Sequence, residues 1–129
     1  MTCAHSVLIV DDHPVNQEIM KAMAESIGYA VLQASDGQEA LQVCIRSAPS
    51  AVLMDVNMPV MDGIEATRRI RALQRSGSLA WFSILGVSAD ATPANASACM
   101  AAGMDTFIPK PLMLTDVAAQ LRELSGSAV

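Results

Sequence analysis

The feature that most constrains the fold is an alternation, repeated five times, of a short apolar run with a longer stretch of helical periodicity. The apolar runs occupy residues 7–10, 30–34, 51–54, 82–87 and 106–108. The helical stretches occupy residues 14–27, 38–47, about 64–74, 93–102 and 113–124. Strands that alternate with helices form βαβ units, in which right-handed crossovers join parallel strands. The sequence therefore predicts an α/β domain built on a buried parallel sheet.

The spacing of side chains within the helical stretches predicts which of them face the sheet. In the first helix, apolar residues at every fourth position predict one common face: Val15, Ile19, Met23 and Ile27. In the second helix, three residues are expected to point inward: Leu41, Cys44 and Ile45. The arginines of the third helix are expected to remain largely outside: Arg68, Arg69, Arg71 and Arg75.

Length and composition limit the class of protein. The whole chain, residues 1–129, is expected to be a single domain with an ordered core at about 6–124, either complete or excised from a longer and even membrane-attached protein. A net charge of −5 argues against a nucleic-acid binder. The three cysteines lack metal-ligand spacing and are expected to be free thiols in a reducing cytoplasm. No stretch has the length and apolarity of a membrane span, so we expect a cytoplasmic domain without direct membrane contact.

The third apolar run ends in a carboxylate. Residues 51–54 lead directly into Asp55, and Asp62-Gly63 marks the loop that follows. A short continuous apolar run is typical of a strand buried on both faces. In open α/β sheets, ligands bind beyond the carboxyl ends of such strands. Asp55 is therefore a candidate nucleophile or metal ligand.

Polar residues also follow the other central strands. Asp11 and Asp12 follow the first run, Ser88 follows the fourth and Lys110 follows the fifth. If the strands are neighbours, three carboxylates converge and repel, and a bound cation relieves that repulsion. Oxygen ligands select Mg²⁺, Ca²⁺ or Mn²⁺ over Zn²⁺, and Mg²⁺ is favoured because it keeps several waters. Acids, a hydroxyl and an ammonium at one edge suit phosphoryl transfer, with Asp55 as nucleophile.

Four segments in this order and spacing resemble a response-regulator receiver domain, and the resemblance covers almost the whole chain. They are Val-Asp-Asp at 10–12, Met-Asp-Val-Asn-Met-Pro-Val-Met-Asp-Gly at 54–63, Val-Ser-Ala at 87–89 and Lys-Pro at 110–111. The resemblance implies a flavodoxin-like, doubly wound sheet of five parallel strands in the order 2-1-3-4-5, with five helices.

The resemblance also implies a chemical role for each acid. Asp55 would accept a phosphoryl group from a partner's phosphohistidine. Asp12, Asp55 and the backbone carbonyl of Asn57 would ligate Mg²⁺ directly, with Mn²⁺ able to substitute. Asp11 would act largely through a metal-bound water.

Further residues are assigned by the resemblance to phosphoryl binding and switching. Lys110 and Ser88 would bind phosphoryl oxygens, and a cis peptide between Lys110 and Pro111 would aim the lysine. Ser88 would move towards the phosphoryl group, and Phe107 would then turn inward. The surface of the fourth helix, fifth strand and fifth helix would read out the change and form a weak dimer. The fourth helix carries no charge, which fits either close packing on the sheet or a partner surface.

Residues 13–17 and 66–71 resemble receivers within hybrid sensor histidine kinases. The implied partners are a histidine kinase and a histidine phosphotransfer domain, and the implied catalysis is the domain's own phosphorylation and dephosphorylation. Two alternatives are a stand-alone response regulator and a receiver-like binding module without phosphorylation. A phosphatase of the haloacid-dehalogenase type would need an acid two residues after Asp55, where Asn57 stands.

Overall fold

A computed structural model describes residues 6–58, 61–90, 92–110 and 113–124, with only the backbone of 122–124. In these ranges five strands alternate with five helices. The strands are β1 (Ser6–Val10), β2 (Ala30–Ala34), β3 (Ala51–Asp55), β4 (Ser83–Ser88) and β5 (Thr106–Pro109). The helices are α1 (Pro14–Ser26), α2 (Gly37–Ser47), α3 (Gly63–Arg75), α4 (Pro93–Ala102) and α5 (Leu114–Leu124). None of the described helices is both long and apolar enough to cross a membrane.

The strands form one parallel sheet in the order β2-β1-β3-β4-β5, which confirms the predicted topology. The register aligns the carboxyl ends of the strands. Val10 lies opposite both Ala34 and Met54, and Asp55 lies opposite Val87. Pro109, which has no backbone donor, lies in the edge strand β5, as its chemistry requires.

Two apolar clusters cover the two faces of the sheet. One face packs against α2, α3 and α4, and the other packs against α1 and α5. Consecutive residues of β3 alternate between the clusters, with Val52 and Met54 in the first and Leu53 in the second. The central strands are therefore buried on both faces, as their continuous apolar runs predict.

The predicted inner face of α1 is wrong. Val15 and Ile19 are 59% and 47% exposed, whereas Gln17, Met20 and Ala24 are buried. A row of residues four apart turns by about 40° around the helix at each step. After two or three such steps the row has turned away from the sheet, so all four residues cannot lie on the buried face. For the same kind of reason Ile45, at the margin of the inner face of α2, is 62% exposed although Leu41 and Cys44 are buried.

The prediction that Arg71 lies outside is also wrong, although the other three arginines of α3 are exposed. Arg71 is 1% exposed. Its guanidinium donates to the carbonyls of Gly103 and Phe82, both at 2.8 Å, and to Asp105 Oδ2 at 2.7 Å. The ring of Trp81 stacks on it at 3.8 Å. Arg71 thus ties α3 to the start of β4 and to the turn between α4 and β5.

We predict that Arg71→Ala destabilises the domain by roughly 3 kcal/mol or more, because it leaves two carbonyls without their donor and Asp105 without its counter-charge. Arg75→Ala is the matched control, since Arg75 lies exposed in the same helix. Its effect should stay within about 0.5 kcal/mol. Urea unfolding followed by circular dichroism measures both. Equal unfolding midpoints for the two variants would contradict the structural role of Arg71.

Candidate functional site

Three carboxylates lie together at the carboxyl edge of the sheet. Asp11 and Asp12 follow β1, and Asp55 is the last residue of neighbouring β3. One carboxylate oxygen of each lies within 4.8 Å of one oxygen of each of the others. Asp11 and Asp55 are buried, and Asp12 is exposed. Strand order alone produces this convergence, because β1 and β3 are adjacent and end at the same level.

Lys110 brings the opposite charge to the cluster. Its Nζ lies 3.5 Å from Asp11 Oδ2 and 3.6 Å from Asp55 Oδ1. The backbone N–H of Lys110 donates to the carbonyl of Ser88 at 2.8 Å, which fixes where the side chain starts. Lys110, which follows β5, therefore forms ion pairs with both buried acids, one after β1 and one at the end of β3. The predicted cis peptide to Pro111 lies outside the described residues.

The surroundings of Asp55 disfavour its charged form relative to that of an ordinary carboxyl group, which raises its pKa. Burial raises the pKa of Asp55, and the negative charge of Asp11 raises it further. The charge of Lys110 and the N–H of Asn57, which donates to Asp55 Oδ1 at 3.3 Å, act in the opposite direction without cancelling the rise. A carboxylate destabilised in this way gains from any added positive charge. Three carboxylates with an open side are also a donor set that suits a hard divalent cation.

Gln17 positions Asp11, a role that sequence reasoning missed. Its Nε2 donates to the carbonyl of Asp11 at 2.7 Å and to that of Ala34 at 2.6 Å. The N–H of His13 donates to Asp11 Oδ1 at 2.8 Å. These bonds tie the end of β1 to the end of β2 and orient the acid. The sequence carries no signal of this role, because the burial of Gln17 depends on how α1 packs on the sheet.

Gly63 lets α3 begin directly against the end of β3, which the sequence indicated only as a turn. A Cβ at Gly63 would lie 2.3 Å from the carbonyl oxygen of Asp55 and 2.9 Å from Met54 Cγ. The N–H of Gly63 donates to the carbonyl of Val56 at 3.0 Å. Any side chain at residue 63 would therefore displace the strand end that carries Asp55.

The two residues predicted to switch lie in the neighbouring strands β4 and β5. Ser88 ends β4 and is fully buried, and its hydroxyl oxygen accepts a hydrogen bond from the N–H of Asp90 at 3.0 Å. Phe107 is half-buried and packs against the apolar cluster on the face covered by α2, α3 and α4. Both lie in strands that end beside the acids.

Comparison with known proteins agrees with this geometry. Residues 7–122 match the family described as response regulator receiver domain. The sensor histidine kinase RcsC of Salmonella typhimurium is 40% identical over 84% of this chain, and the sensor protein EvgS of Escherichia coli is 36% identical over 92%. The chain spans only 11% and 10% of the lengths of those two proteins.

A solved structure shares both fold and sequence. The receiver domain of sensor histidine kinase PA1611 from Pseudomonas aeruginosa is 34% identical, with a TM-score of 0.85 over 96% of this chain and 99% of that chain. That crystal structure has a magnesium ion coordinated in the active-site cleft.

The raised pKa of Asp55 has a consequence for stability. Because the folded chain holds this proton more tightly than the unfolded chain, stability falls as the pH rises from the ordinary value of 3.8 through the folded pKa. We predict that Asp55→Asn raises the free energy of unfolding at pH 7 in buffer free of divalent cations. The gain should disappear below about pH 3. Urea unfolding across pH measures it.

The matched control is Glu25→Gln, which neutralises an exposed acid of α1 away from the sheet edge. It should not reproduce the gain at pH 7. If Asp55→Asn gave no stabilisation, or one that persisted at low pH, burial and Asp11 would not be destabilising the charged form.

Proposed function

The chain belongs to the response regulator receiver domain family, and we propose that it accepts a phosphoryl group on Asp55 from a phosphohistidine of a partner protein. The proposal rests on the electrostatic destabilisation of the Asp55 carboxylate. Asp55 is held at a strand end within 4.8 Å of two further acids, with Lys110 Nζ 3.6 Å from its Oδ1. The strand end fixes the position of this nucleophile, and the ammonium of Lys110 supplies a positive charge beside it.

The donor set fits Mg²⁺, with Mn²⁺ as a substitute. Asp12 and Asp55 would ligate the ion directly with the carbonyl of Asn57, and Asp11 would act through water. When bound, the ion neutralises the carboxylates and the charge on the phosphoryl oxygens. The magnesium-bound receiver of PA1611 supports this assignment by its similarity to the chain.

The protein's own side chains divide the remaining work. A carboxylate oxygen of Asp55 attacks phosphorus, the P–N bond to the partner's imidazole breaks with its electron pair left on nitrogen, and an acyl phosphate forms. The ammonium of Lys110 pairs with the Asp55 carboxylate before the transfer and with a phosphoryl oxygen after it. The hydroxyl of Ser88 donates to a second phosphoryl oxygen. The amide of Asn57, two residues after Asp55, does not ionise near neutral pH and cannot act as a general acid or base, so it does not favour rapid turnover as a phosphatase.

The parent protein is proposed to be a sensor histidine kinase. Both similar sensor proteins are about ten times longer than the matched region, so a receiver within a larger chain is the natural context. The phosphoryl group would then pass from a kinase histidine to Asp55 and on to a histidine phosphotransfer domain. We propose a cytoplasmic location, because phosphohistidine donors of this kind are cytoplasmic.

The apolar surface beside the site is a candidate docking site for this partner. Val15 and Ile19 of α1 are exposed, and so are Met113 and Leu114 at the start of α5. α1 begins two residues after Asp12, and α5 begins four residues after Lys110, so both ends lie near the acids. A helix that carries a phosphohistidine would bury these side chains while its imidazole reaches Asp55.

The output surface is proposed to be α4, β5 and α5, with Phe107 as its aromatic switch. α4 exposes Ala94, Ser97 and Met100 without one charge, which suits contact with another protein or a weak dimer. Phosphorylation would change this surface by drawing Ser88 towards the new oxygens.

We predict that acetyl phosphate with Mg²⁺ adds one phosphoryl group to the chain, measured by intact mass. Asp55→Asn should abolish the adduct, and Lys110→Ala should reduce its rate at least about tenfold, the loss of a charge-assisted contact. Glu25→Gln should label like the wild type. Labelling that survives Asp55→Asn would refute the site, and absence of labelling in the wild type would favour a binding module that does not use its pocket.

We predict that Ile19→Asp slows phosphotransfer from a phosphorylated histidine phosphotransfer domain by roughly tenfold or more, as loss of an interface anchor does. Its labelling by acetyl phosphate should be unchanged, since Ile19 is outside the acid site. Ile45→Asp is the matched control, an exposed apolar residue on the opposite face of the sheet. Equal slowing by both variants, or by neither, would place the partner elsewhere.

A further inference from the structure

The hydroxyl of Ser88 is held from the side of α4. Ser88 is fully buried, and its Oγ accepts from the N–H of Asp90 at 3.0 Å and from Asn95 Nδ2 at 3.3 Å. Among the hydrogen bonds of the described residues, none joins this hydroxyl to Asp55 or Lys110. A hydroxyl oxygen has two acceptor positions, and both are occupied here by donors that lie away from the acids.

Asn95 is itself fixed by the first turn of α4. It is the third residue of the helix, and its backbone N–H donates to the hydroxyl of the N-cap Thr92 at 3.3 Å. Its Nδ2 also donates to the carbonyl of Asp90 at 2.7 Å. The two protons of one amide therefore bridge the loop backbone and the Ser88 hydroxyl. Movement of that hydroxyl towards Asp55 has to break the bond to Asn95 or pull on α4.

The helix does not need an asparagine at residue 95. Asparagine is a poorer helix former than alanine, and the surrounding residues of α4 are mostly alanine. Among the described residues, the side chain of Asn95 donates hydrogen bonds only to the loop and to Ser88. These contacts point to a role outside the helix.

We propose that Asn95 is a positioning residue whose hydrogen bond to Ser88 Oγ opposes movement of that hydroxyl towards the phosphoryl group. This rests on the proposed function of Asp55. While Asn95 donates to Ser88 Oγ, the hydroxyl stays on the α4 side. Phosphorylation of Asp55 then has to draw the hydroxyl away from Asn95. Release of Ser88 removes one of the bonds that hold the first turn of α4, so the same bond links the chemistry at Asp55 to the output surface. Asn95 thereby sets the fraction of molecules that switch at a given phosphoryl occupancy.

The test is the affinity of the Mg²⁺-loaded protein for beryllofluoride, which mimics a phosphoryl group on Asp55. Asn95→Ala should raise the affinity about threefold to tenfold, the equilibrium equivalent of one neutral hydrogen bond. The amide resonances of Ser88 and Ala89 should shift part of the way towards their beryllofluoride-bound positions before any mimic is added. Ser97→Ala, in the exposed part of the same helix, should change neither readout.

A double-mutant cycle separates action through Ser88 from a general effect on the helix. In a Ser88→Ala background, Asn95→Ala should leave the affinity unchanged. An equal gain in that background, or a lower or unaltered affinity in the single variant, would overturn the inference while the proposed function stands. If the wild type itself bound no beryllofluoride, the proposed function would fail and the inference with it.

Discussion

Repulsion between carboxylates that the sheet holds together determines how the functional site is built. Asp11 and Asp55 end adjacent strands and are buried, so neither can turn into solvent. Lys110 offsets part of their charge at 3.5 and 3.6 Å, yet the pKa of Asp55 remains raised. The supporting contacts of Gln17 and Gly63 hold the strand ends in this unfavourable arrangement. A site of this kind favours the binding of a cation, which offsets the charge of the carboxylates and then that of a transferred phosphoryl group.

α4 is attached to the rest of the domain at both of its ends, one near the acids and one far from them. Its first turn is bonded to the loop after β4 through Thr92 and Asn95. Its C-terminal cap, Gly103, gives its carbonyl to buried Arg71. The helix is thus tethered by a neutral, partly exposed amide at the end near the acids and by a buried cation at the far end. A change at Ser88 would act first on the weaker of these two attachments.

Much of the fold and of the site could be predicted from local sequence patterns. Alternating apolar runs and helical stretches predicted the strands and helices, and the polar residues that end the strands predicted the edge where Asp55 and Lys110 meet. What sequence reasoning missed depends on tertiary contacts. Arginines in one helix look alike, and only the carbonyls of Phe82 and Gly103 determine that Arg71 is buried. Val15 and Ile19 look like core residues until the angle of α1 on the sheet is known. Hydrogen bonds of Gln17 and Asn95 have no signature at all in local spacing.

The central claim is that Asp55 alone carries the phosphoryl group. The most direct measurement is chemical: the phosphorylated protein is reduced with borohydride, which converts an aspartyl phosphate to homoserine, and the peptides are sequenced by mass spectrometry. We predict homoserine at residue 55 and unmodified aspartate at Asp11 and Asp12. Homoserine at either of those positions, or a phosphoryl group that resists borohydride on a serine or histidine, would contradict it.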